Sequence, residues 1–244
     1  MPAKFNLKGH SAIVTGAGRR LGRAFAEALA KNGANVVVHY GSSAEEAEEV
    51  VRGLLEHGVR ATEVQADLAD PAEAIELVGR ATEAIGEVDL LVNNAATFGP
   101  VEALDTSIED WQLHLNVNLT APFLIAQQFA RSRQGARGSI VNLLDWRALR
   151  PGADHFPYTI SKAALAALTR GLAVSLAPHI RVNGLALGAI LPPSDGGTDD
   201  PLEGVPSRRW GTVEEAIEAL LFLLAGPEYV TGEILHVDGG RHLT

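Results

Sequence analysis

The sequence predicts a single-domain α/β fold, a doubly wound, parallel, seven-stranded sheet with helices on both faces. Three observations carry this expectation. Seven short runs of mostly Val, Ile and Leu show little polar alternation, the pattern of strands covered on both faces. Longer amphipathic stretches alternate with them. The first short run leads directly into a glycine-rich turn that opens the first amphipathic stretch.

In chain order the strands are expected at Ser11–Val14, Ala34–Val38, Val59–Gln65, Asp89–Val92, Ser139–Leu143, Arg181–Leu185 and Ile234–Val237. The helices fall between them, at Leu21–Asn32, Ala44–His57, Ala72–Ile85, Ser107–Arg133, Tyr158–Leu176 and Val213–Ala225. Gly33 fits a left-handed C-terminal cap, and Pro71 fits a first helical turn after Asp70, where its missing N–H is not needed. No fixed-period repeat, linker or low-complexity tract divides the chain. The stretch from Ala189 to Gly211, rich in Gly, Pro, Asp and Ser, is long for a compact domain and reads as a lid over a site.

Bulk composition excludes several classes. With 244 residues, 46% hydrophobic and 20% charged, the chain can bury one substantial core. A net charge of −10 argues against a nucleic-acid binder, which needs a basic face to neutralise phosphates. There are no cysteines, hence no disulfide, thiolate metal site or Cys nucleophile, as in a reducing compartment. Met1 to His10 lacks the basic-then-apolar order of a signal peptide, and the most apolar stretch, Ala216 to Leu224, is too short to span a bilayer. The eight His residues show no H-x-x-x-H spacing, so no metal site is expected. These readings describe a soluble, cytoplasmic protein without a membrane or nucleic-acid partner.

The glycine-rich turn, Thr15-Gly16-Ala17-Gly18-Arg19-Arg20-Leu21-Gly22, lies between a strand and a helix N-terminus. Glycines there let backbone approach a pyrophosphate, and the helix offers unpaired N–H groups and the positive end of its dipole. The second strand ends in His39-Tyr40-Gly41-Ser42-Ser43, without the Asp or Glu that would hold a ribose 2′-hydroxyl and repel a 2′-phosphate. With these hydroxyls and Arg19 in the facing turn, the expected cofactor is NADPH. Ser42 and Ser43 equally suit capping of the next helix, whose first turn holds Glu45 and Glu46, and the two roles share one helix N-terminus. Asp67, followed by Leu68, and Asn93-Asn94-Ala95 come after the third and fourth strands, at the edge where open α/β sheets bind ligands. Taken singly, each is equally ordinary turn chemistry.

Tyr158 and Lys162 stand four residues apart on a predicted helix and so share a face. A free phenol titrates near ~10, and a neighbouring ammonium lowers that value by favouring the phenolate. In isolation such a pair is also common surface chemistry.

In order along the whole chain, the Thr15–Gly22 turn, Asn93-Asn94-Ala95, Asn118, Tyr158-Thr159-Ile160-Ser161-Lys162 and Val237-Asp238-Gly239-Gly240 resemble the short-chain dehydrogenase/reductase family. The resemblance implies a Rossmann sheet, nicotinamide hydride transfer beside Tyr158 as general acid, and a homotetramer. It implies that Lys162 holds the nicotinamide ribose and tunes Tyr158, and that Asn118 kinks its helix and relays protons through water. After the sixth strand the family usually has Pro-Gly. This chain reads Leu187-Gly188, and main-chain contacts of Gly188 to the nicotinamide are expected to survive.

Two departures narrow the expectation. Thirteen residues before the Tyr the family carries a Ser that hydrogen-bonds a substrate carbonyl, and here Asp145 stands in its place. The second glycine of the turn is Arg20. Both changes, with His39-Tyr40, Ser43, Phe98 and the ending Asp238-Gly239-Gly240-Arg241-His242-Leu243, are similar to pteridine reductases and dihydromonapterin reductases. That resemblance implies a pterin ring stacked between Phe98 and the nicotinamide, with Arg20 near the cofactor phosphates and the substrate.

Charge logic points the same way. An ionised carboxylate only accepts hydrogen bonds, so Asp145 cannot polarise a ketone oxygen; it suits a substrate with N–H donors and a C=N to be protonated. It also opposes phenolate formation and keeps Tyr158 protonated. The local alternative is that Asp145 only caps the loop before Arg147, although a buried carboxylate without a task is costly. Trp111 is expected to pack in its helix, and Trp146 and Trp210 either border the cleft or pack.

Three functions follow. One is NADPH-dependent reduction of a dihydropterin. Another is reduction of a carbonyl, such as a 3-oxoacyl thioester or small ketone, with Asp145 an accidental substitution. The third is a non-catalytic NADPH sensor, which has no need of Tyr158, Lys162 and Asn118, all of them present.

Overall fold

The computed structural model describes residues 5–152, 154–192 and 202–244. Its strands are β1 (Ser11–Val14), β2 (Asn35–Tyr40), β3 (Ala61–Gln65), β4 (Leu90–Asn93), β5 (Gly138–Asp145), β6 (Ile180–Leu187) and β7 (Ile234–Val237). They form one seven-stranded sheet in the order β3-β2-β1-β4-β5-β6-β7, every pairing parallel. Helices α1 (Arg20–Lys31), α2 (Ala44–Leu55), α3 (Pro71–Ile85), α4 (Ile108–Leu115), α5 (Ala121–Arg133), α6 (Phe156–Leu176) and α7 (Val213–Ala225) connect them. The expected doubly wound sheet is the observed one, and its strand order reverses between β1 and β4. No helix among the described residues is long and apolar enough to cross a membrane.

Alternation along the strands explains the unbroken apolar runs. Ala12, Val14, Val36, Val38, Val92 and Val141 pack into one layer with Phe25, Leu29, Val50 and Leu220 of α1, α2 and α7. Ile13, Val37, Leu91, Ile140 and Val182 face the other way, against Leu77, Ile125 and Phe129 of α3 and α5. Both faces are thus apolar, as a parallel sheet between two helical layers requires. Each large side chain buried there is worth roughly 1.5–3 kcal/mol relative to leaving it in water.

Element ends behave largely as the sequence predicts. Asp70 accepts the Ala72 N–H at 2.8 Å with Pro71 in the first turn of α3, and Gly33, at φ +94°, follows α1 in the left-handed region. Two differences bear on the site. Strands β5 and β6 pair over eight residues, from Gly138↔Ile180 to Asp145↔Leu187, so β5 runs two residues past the expected end at Leu143 and delivers Asp145 at its tip. The helix expected as continuous from Ser107 to Arg133 is interrupted by a π-turn at Asn116–Thr120 between α4 and α5. Pro122 opens α5 and has no N–H to give the Asn118 carbonyl, which relaxes the helical ladder there. Of the stretch 189–211 expected as a lid, residues 193–201 lie outside the described residues.

A buried polar ladder ties the sheet to α6. Asn93 Nδ2 donates to Asn142 Oδ1 at 2.8 Å, Asn142 Nδ2 to the Thr169 hydroxyl at 2.9 Å, and that hydroxyl to the Leu165 carbonyl at 2.8 Å. Asn142 is 0% exposed, so its loss strands two partners away from water. Asn142→Ala is expected to lower the unfolding free energy by about 2–4 kcal/mol, read from urea denaturation, whereas Gln65→Ala on the exposed end of β3 changes it little.

Candidate active site

The loops at the C-terminal ends of β1 and β4 are stitched together. The Thr15 hydroxyl accepts the main-chain N–H groups of Asn94 and Ala95, both at 2.9 Å. Asn94 Nδ2 returns bonds to the carbonyls of Thr15, at 2.8 Å, and Gly16, at 3.2 Å. Gly16 is left-handed, at φ +63°. A Cβ on Gly22 would run into the Gly16 carbonyl, and one on Gly18 would lie 2.7 Å from the Ser43 hydroxyl. The turn therefore excludes side chains, and the first turn of α1 carries no acid. Such a bare helix N-terminus behind a glycine turn fits the pyrophosphate of a dinucleotide.

The other residues expected around a nucleotide take distinct positions. His39 is 2% exposed, and both ring nitrogens are engaged inside the protein. Its Nδ1 accepts the Gly16 N–H at 3.0 Å, and its Nε2 donates to the Ala66 carbonyl at 3.0 Å. Expected as a cofactor contact, the imidazole instead clamps the glycine turn to the end of β3. Burial pushes its pKa down to about 4. Tyr40, half-buried, packs against the core. Ser43 stands at the N-cap of α2 without a side-chain capping bond, so its hydroxyl does not take up the capping role considered for it. Ser42 is exposed. Arg19 is ion-paired with Glu46 in the first turn of α2. Asp67 caps its own turn, accepting the Ala69 N–H at 2.9 Å, and the Leu68 side chain is buried in the core.

The chemical residues converge on a cavity of about 600 Å3 whose walls include Arg20, Phe98, Asp145, Tyr158, Lys162 and Gly188. Leu21 and Asn94 border it too. Arg20, left-handed at φ +51°, donates to the Pro192 carbonyl at 2.5 Å. Asp145 caps the loop after β5, as one reading expected, and also meets Tyr158. Its Oδ1 accepts the Arg147 N–H at 2.8 Å, capping the short 3-10 turn Trp146–Ala148, while its Oδ2 accepts the Tyr158 hydroxyl at 3.2 Å. The Arg147 guanidinium approaches the same carboxylate at 3.9 Å. Lys162 Nζ donates to the Leu143 carbonyl at 2.7 Å and sits 5.7 Å from the centre of the Tyr158 ring. Asn118 falls in the π-turn, and its side chain bonds Thr97 on both main-chain groups and the Ser161 hydroxyl, which in turn donates to the Tyr158 carbonyl. Its amide thus props the helix turn carrying Tyr158.

Electrostatics resolves two opposing expectations for Tyr158. Burial, then the charge and hydrogen bond of Asp145, raise the phenol well above its ordinary range. Asp145 itself is raised by burial, partly offset by the Arg147 N–H and by the charges of Arg147 and Lys162. Lys162 is lowered to about 8 by burial, with Asp145 opposing. Burial and the carboxylate outweigh the opposing Arg147 charge at the phenol, so Tyr158 is held protonated. Phe98 meets Tyr158 edge-on at 4.7 Å and stacks on the His155 imidazole at 4.2 Å and 20°, so His155 covers a face of the ring expected to hold a pterin.

Trp146 and Trp210 both border the cavity, and Trp111 stacks on Phe156. Sequence reasoning passed over Arg147, Asp154 and His155. Arg147 bonds Asp154 at 2.7 Å and Asp154 bonds His155 at 2.8 Å, which forms one wall of the cavity. Only the position of Arg147, two residues past Asp145, carried a signal for any of them. Among the described residues no group of three or more potential metal ligands gathers.

A dinucleotide cradle at a strand-order reversal, opening on a Tyr–Lys pair, defines a nucleotide-dependent oxidoreductase of the α/β class. Over residues 16–242 the chain matches a family model described as enoyl-(acyl carrier protein) reductase. It belongs to the short-chain dehydrogenase/reductase family. It is 34% identical to gluconate 5-dehydrogenase of Gluconobacter oxydans, across 98% of this chain and 97% of that protein. Among solved structures it is similar to FolM alternative dihydrofolate reductase 1 from Brucella canis complexed with NADP. The TM-score there is 0.90 and the identity 33%, over 98% of this chain and 96% of that one. A blue fluorescent protein from a metagenomic library, in complex with NADPH, superposes with TM-score 0.90 at 34% identity, over 97% of this chain and 99% of that one.

The His39 clamp sets a pH limit. Its pKa lies below the unfolded value of about 6.5, so the unfolded chain takes up the proton first as pH falls. Stability from this group is complete above pH ~6.5 and lost down to about pH 4, a drop of roughly 3 kcal/mol. Denaturation at stepped pH is expected to show the wild type converging on His39→Gln across that window. A constant gap between the two proteins would contradict the clamp.

Proposed function

We propose that this NADP(H)-dependent oxidoreductase reduces the C=N bond of a dihydropterin or related pterin, with Tyr158 as proton donor. The observation that carries the reading is Asp145, whose Oδ2 lies 3.2 Å from the Tyr158 hydroxyl on the cavity wall. An acceptor-only group there has nothing to offer a ketone oxygen and much to offer a ring N–H.

The Thr15–Gly22 turn and the N-terminus of α1 would hold the pyrophosphate, with Asn94, Lys162 and Gly188 toward the nicotinamide end. When bound, the reduced nicotinamide supplies a hydride to the substrate's ring carbon. The chain's part is positional and protonic. Asp145 accepts a substrate N–H and orients the ring. Tyr158, kept protonated by burial and by Asp145, gives its proton to the ring nitrogen that gains electrons. Lys162 and Arg147 supply the positive charge that makes the phenolate left on Tyr158 tolerable beside a carboxylate. Phe98, on the same cavity wall and edge-on to Tyr158, offers an aromatic ring near the reacting groups for a flat heterocycle. The similarity to a structure named alternative dihydrofolate reductase supports the same class.

A second reading, a carbonyl reductase with Asp145 incidental, draws on the relative named gluconate 5-dehydrogenase. NADPH oxidation with dihydrobiopterin, dihydromonapterin and dihydrofolate, set against a panel of ketones, separates the two. Tyr158→Phe is expected to cost about 10²–10⁴ in kcat on the true substrate. Asp145→Ser is expected to lose at least about tenfold on pterins, the scale of a charge-assisted hydrogen bond, whereas the carbonyl reading has it preserve or raise ketone reduction. Ketone turnover without pterin turnover would sink the pterin assignment. Tight NADPH binding with no turnover of any substrate would point to a sensor.

A further inference from the structure

The nucleotide end of the site carries an ion pair that the glycine cradle does not require. Arg19, the residue just before α1, bonds Glu46 in the first turn of α2. Both side chains are accessible, 60% and 39% exposed. The glycine turn and α2 already meet at Gly18, where a Cβ would lie 2.7 Å from the Ser43 hydroxyl and 3.5 Å from the Ala47 main-chain nitrogen. Arg23, one turn further along α1, is held by two carboxylates, Glu27 at 2.9 Å and Glu49 at 3.0 Å.

The end of β2 lacks the carboxylate that would repel a 2′-phosphate, yet Glu46 brings one to the same neighbourhood three residues after Ser43. Its own main-chain N–H and the Arg19 guanidinium hold the Glu46 carboxyl below the usual carboxylate range. A main-chain N–H at a helix start and a guanidinium are the donors a phosphate also uses. Glu46 is thus an anion already bound to Arg19. The bond runs through Arg19 Nη2, which belongs to both forks of the guanidinium, the end-on pair with Nη1 and the side-on pair with Nε. A carboxylate there occupies one fork and sets a like charge beside any anion on the other. An ion pair this exposed is weak, so a doubly charged phosphate can displace the carboxylate.

We propose that Glu46 sets the strength of the cofactor preference, by holding Arg19 in a pair that the 2′-phosphate of NADP(H) must open and that the 2′-hydroxyl of NAD(H) leaves closed. Arg19 supplies the discrimination, and Glu46 moderates it. Binding of the phosphorylated cofactor therefore exchanges one anion for another on Arg19 and gains only the difference between them. The inference rests on the NADP(H) assignment and is independent of the substrate, pterin or carbonyl.

Equilibrium binding tests it without turnover. Kd is measured by calorimetry for NADPH and NADH, and for 2′,5′-ADP against 5′-AMP, which isolates the phosphate from the nicotinamide. Glu46→Gln is expected to tighten NADPH and 2′,5′-ADP about two- to fivefold, the upper range for an exposed ion pair, and to leave NADH and 5′-AMP unchanged. Arg19→Gln is expected to weaken NADPH about tenfold or more, the scale of a charge-assisted hydrogen bond, again with NADH unchanged. In the double variant most of the gain from Glu46→Gln should vanish, because there is no guanidinium left to release. Glu45→Gln removes the same charge from the same helical turn and is expected to do less. Thermal unfolding confirms that the variants, all at accessible positions, are folded. If NADPH is preferred but Glu46→Gln leaves or lowers that preference, the role of Glu46 is refuted while the cofactor assignment stands. A gain that persists without Arg19, or that Glu45→Gln reproduces, also refutes it, since long-range repulsion then suffices. If the wild type binds both cofactors alike and Glu46→Gln prefers NADPH, the inference stands and the assignment widens to both cofactors. If neither protein prefers NADPH, both fall.

Discussion

A carboxylate placed where water is scarce must be answered by its neighbours, and the neighbours of Asp145 form the reacting end of the cavity. One oxygen is capped by the Arg147 N–H, the other by the Tyr158 hydroxyl, and the charges of Arg147 and Lys162 lie close by. Each bond fixes more than itself. The Arg147 bond folds the chain after β5 into the short turn that presents Trp146, and Arg147 then reaches Asp154 and, through it, His155. The Tyr158 bond anchors α6 at its first turn. Buried charges are tolerated only when paired and hydrogen-bonded, so the position of this one residue propagates into the shape of the pocket.

That carboxylate depends in turn on the sheet. Asp145 is the last residue of β5, held in register by Leu187 of β6, and the Asn93–Asn142–Thr169 ladder fixes the same strand to the helix that carries Tyr158 and Lys162. On the cofactor side, His39 performs a comparable task. Its neutral imidazole links Gly16 to Ala66, so the glycine turn is held by a group that must remain uncharged. The site is built on strand ends and one helix, with side-chain amides and an imidazole setting the distances between them. Rigid elements hold reacting groups more accurately than loops do.

Much of this architecture was legible in the sequence because the signals were local. Unbroken Val/Ile/Leu runs reported strands covered on both faces, and the glycine turn announced both the first βα unit and the cradle. Asp145, Tyr158 and Lys162 were readable from spacing and family resemblance, and Phe98 from its place after Asn93-Asn94-Ala95. What stayed hidden depends on packing between distant segments. The extension of β5 to Asp145 comes from pairing with β6, which no apolar pattern encodes. The break at Asn116–Thr120 needed Pro122 to be weighed against a convincing helical period. His39 looked like a strand-end ligand, because nothing in His39-Tyr40 states that Gly16 and Ala66 will meet the ring. Arg147, Asp154 and His155 of the β5–α6 connection and Arg241 near the C-terminal end join one cavity.

The balance of charges also bears on the direction of the chemistry. A tyrosine that must accept a proton from an alcohol has to spend time as phenolate, and a nearby ammonium favours that form. Here the ammonium is itself drawn down to about 8 and bonds a carbonyl, while a carboxylate sits on the hydroxyl. Both features disfavour the phenolate and favour the phenol, so the pocket is poised to give a proton rather than to take one. Oxidation of an alcohol, the direction named in a relative such as gluconate 5-dehydrogenase, starts from the form this pocket suppresses. Reduction starts from the form it maintains. On the proposed pterin reading, Asp145 would therefore favour reduction as well as a substrate with a ring N–H, because the acceptor that suits that N–H is the same charge that keeps Tyr158 protonated.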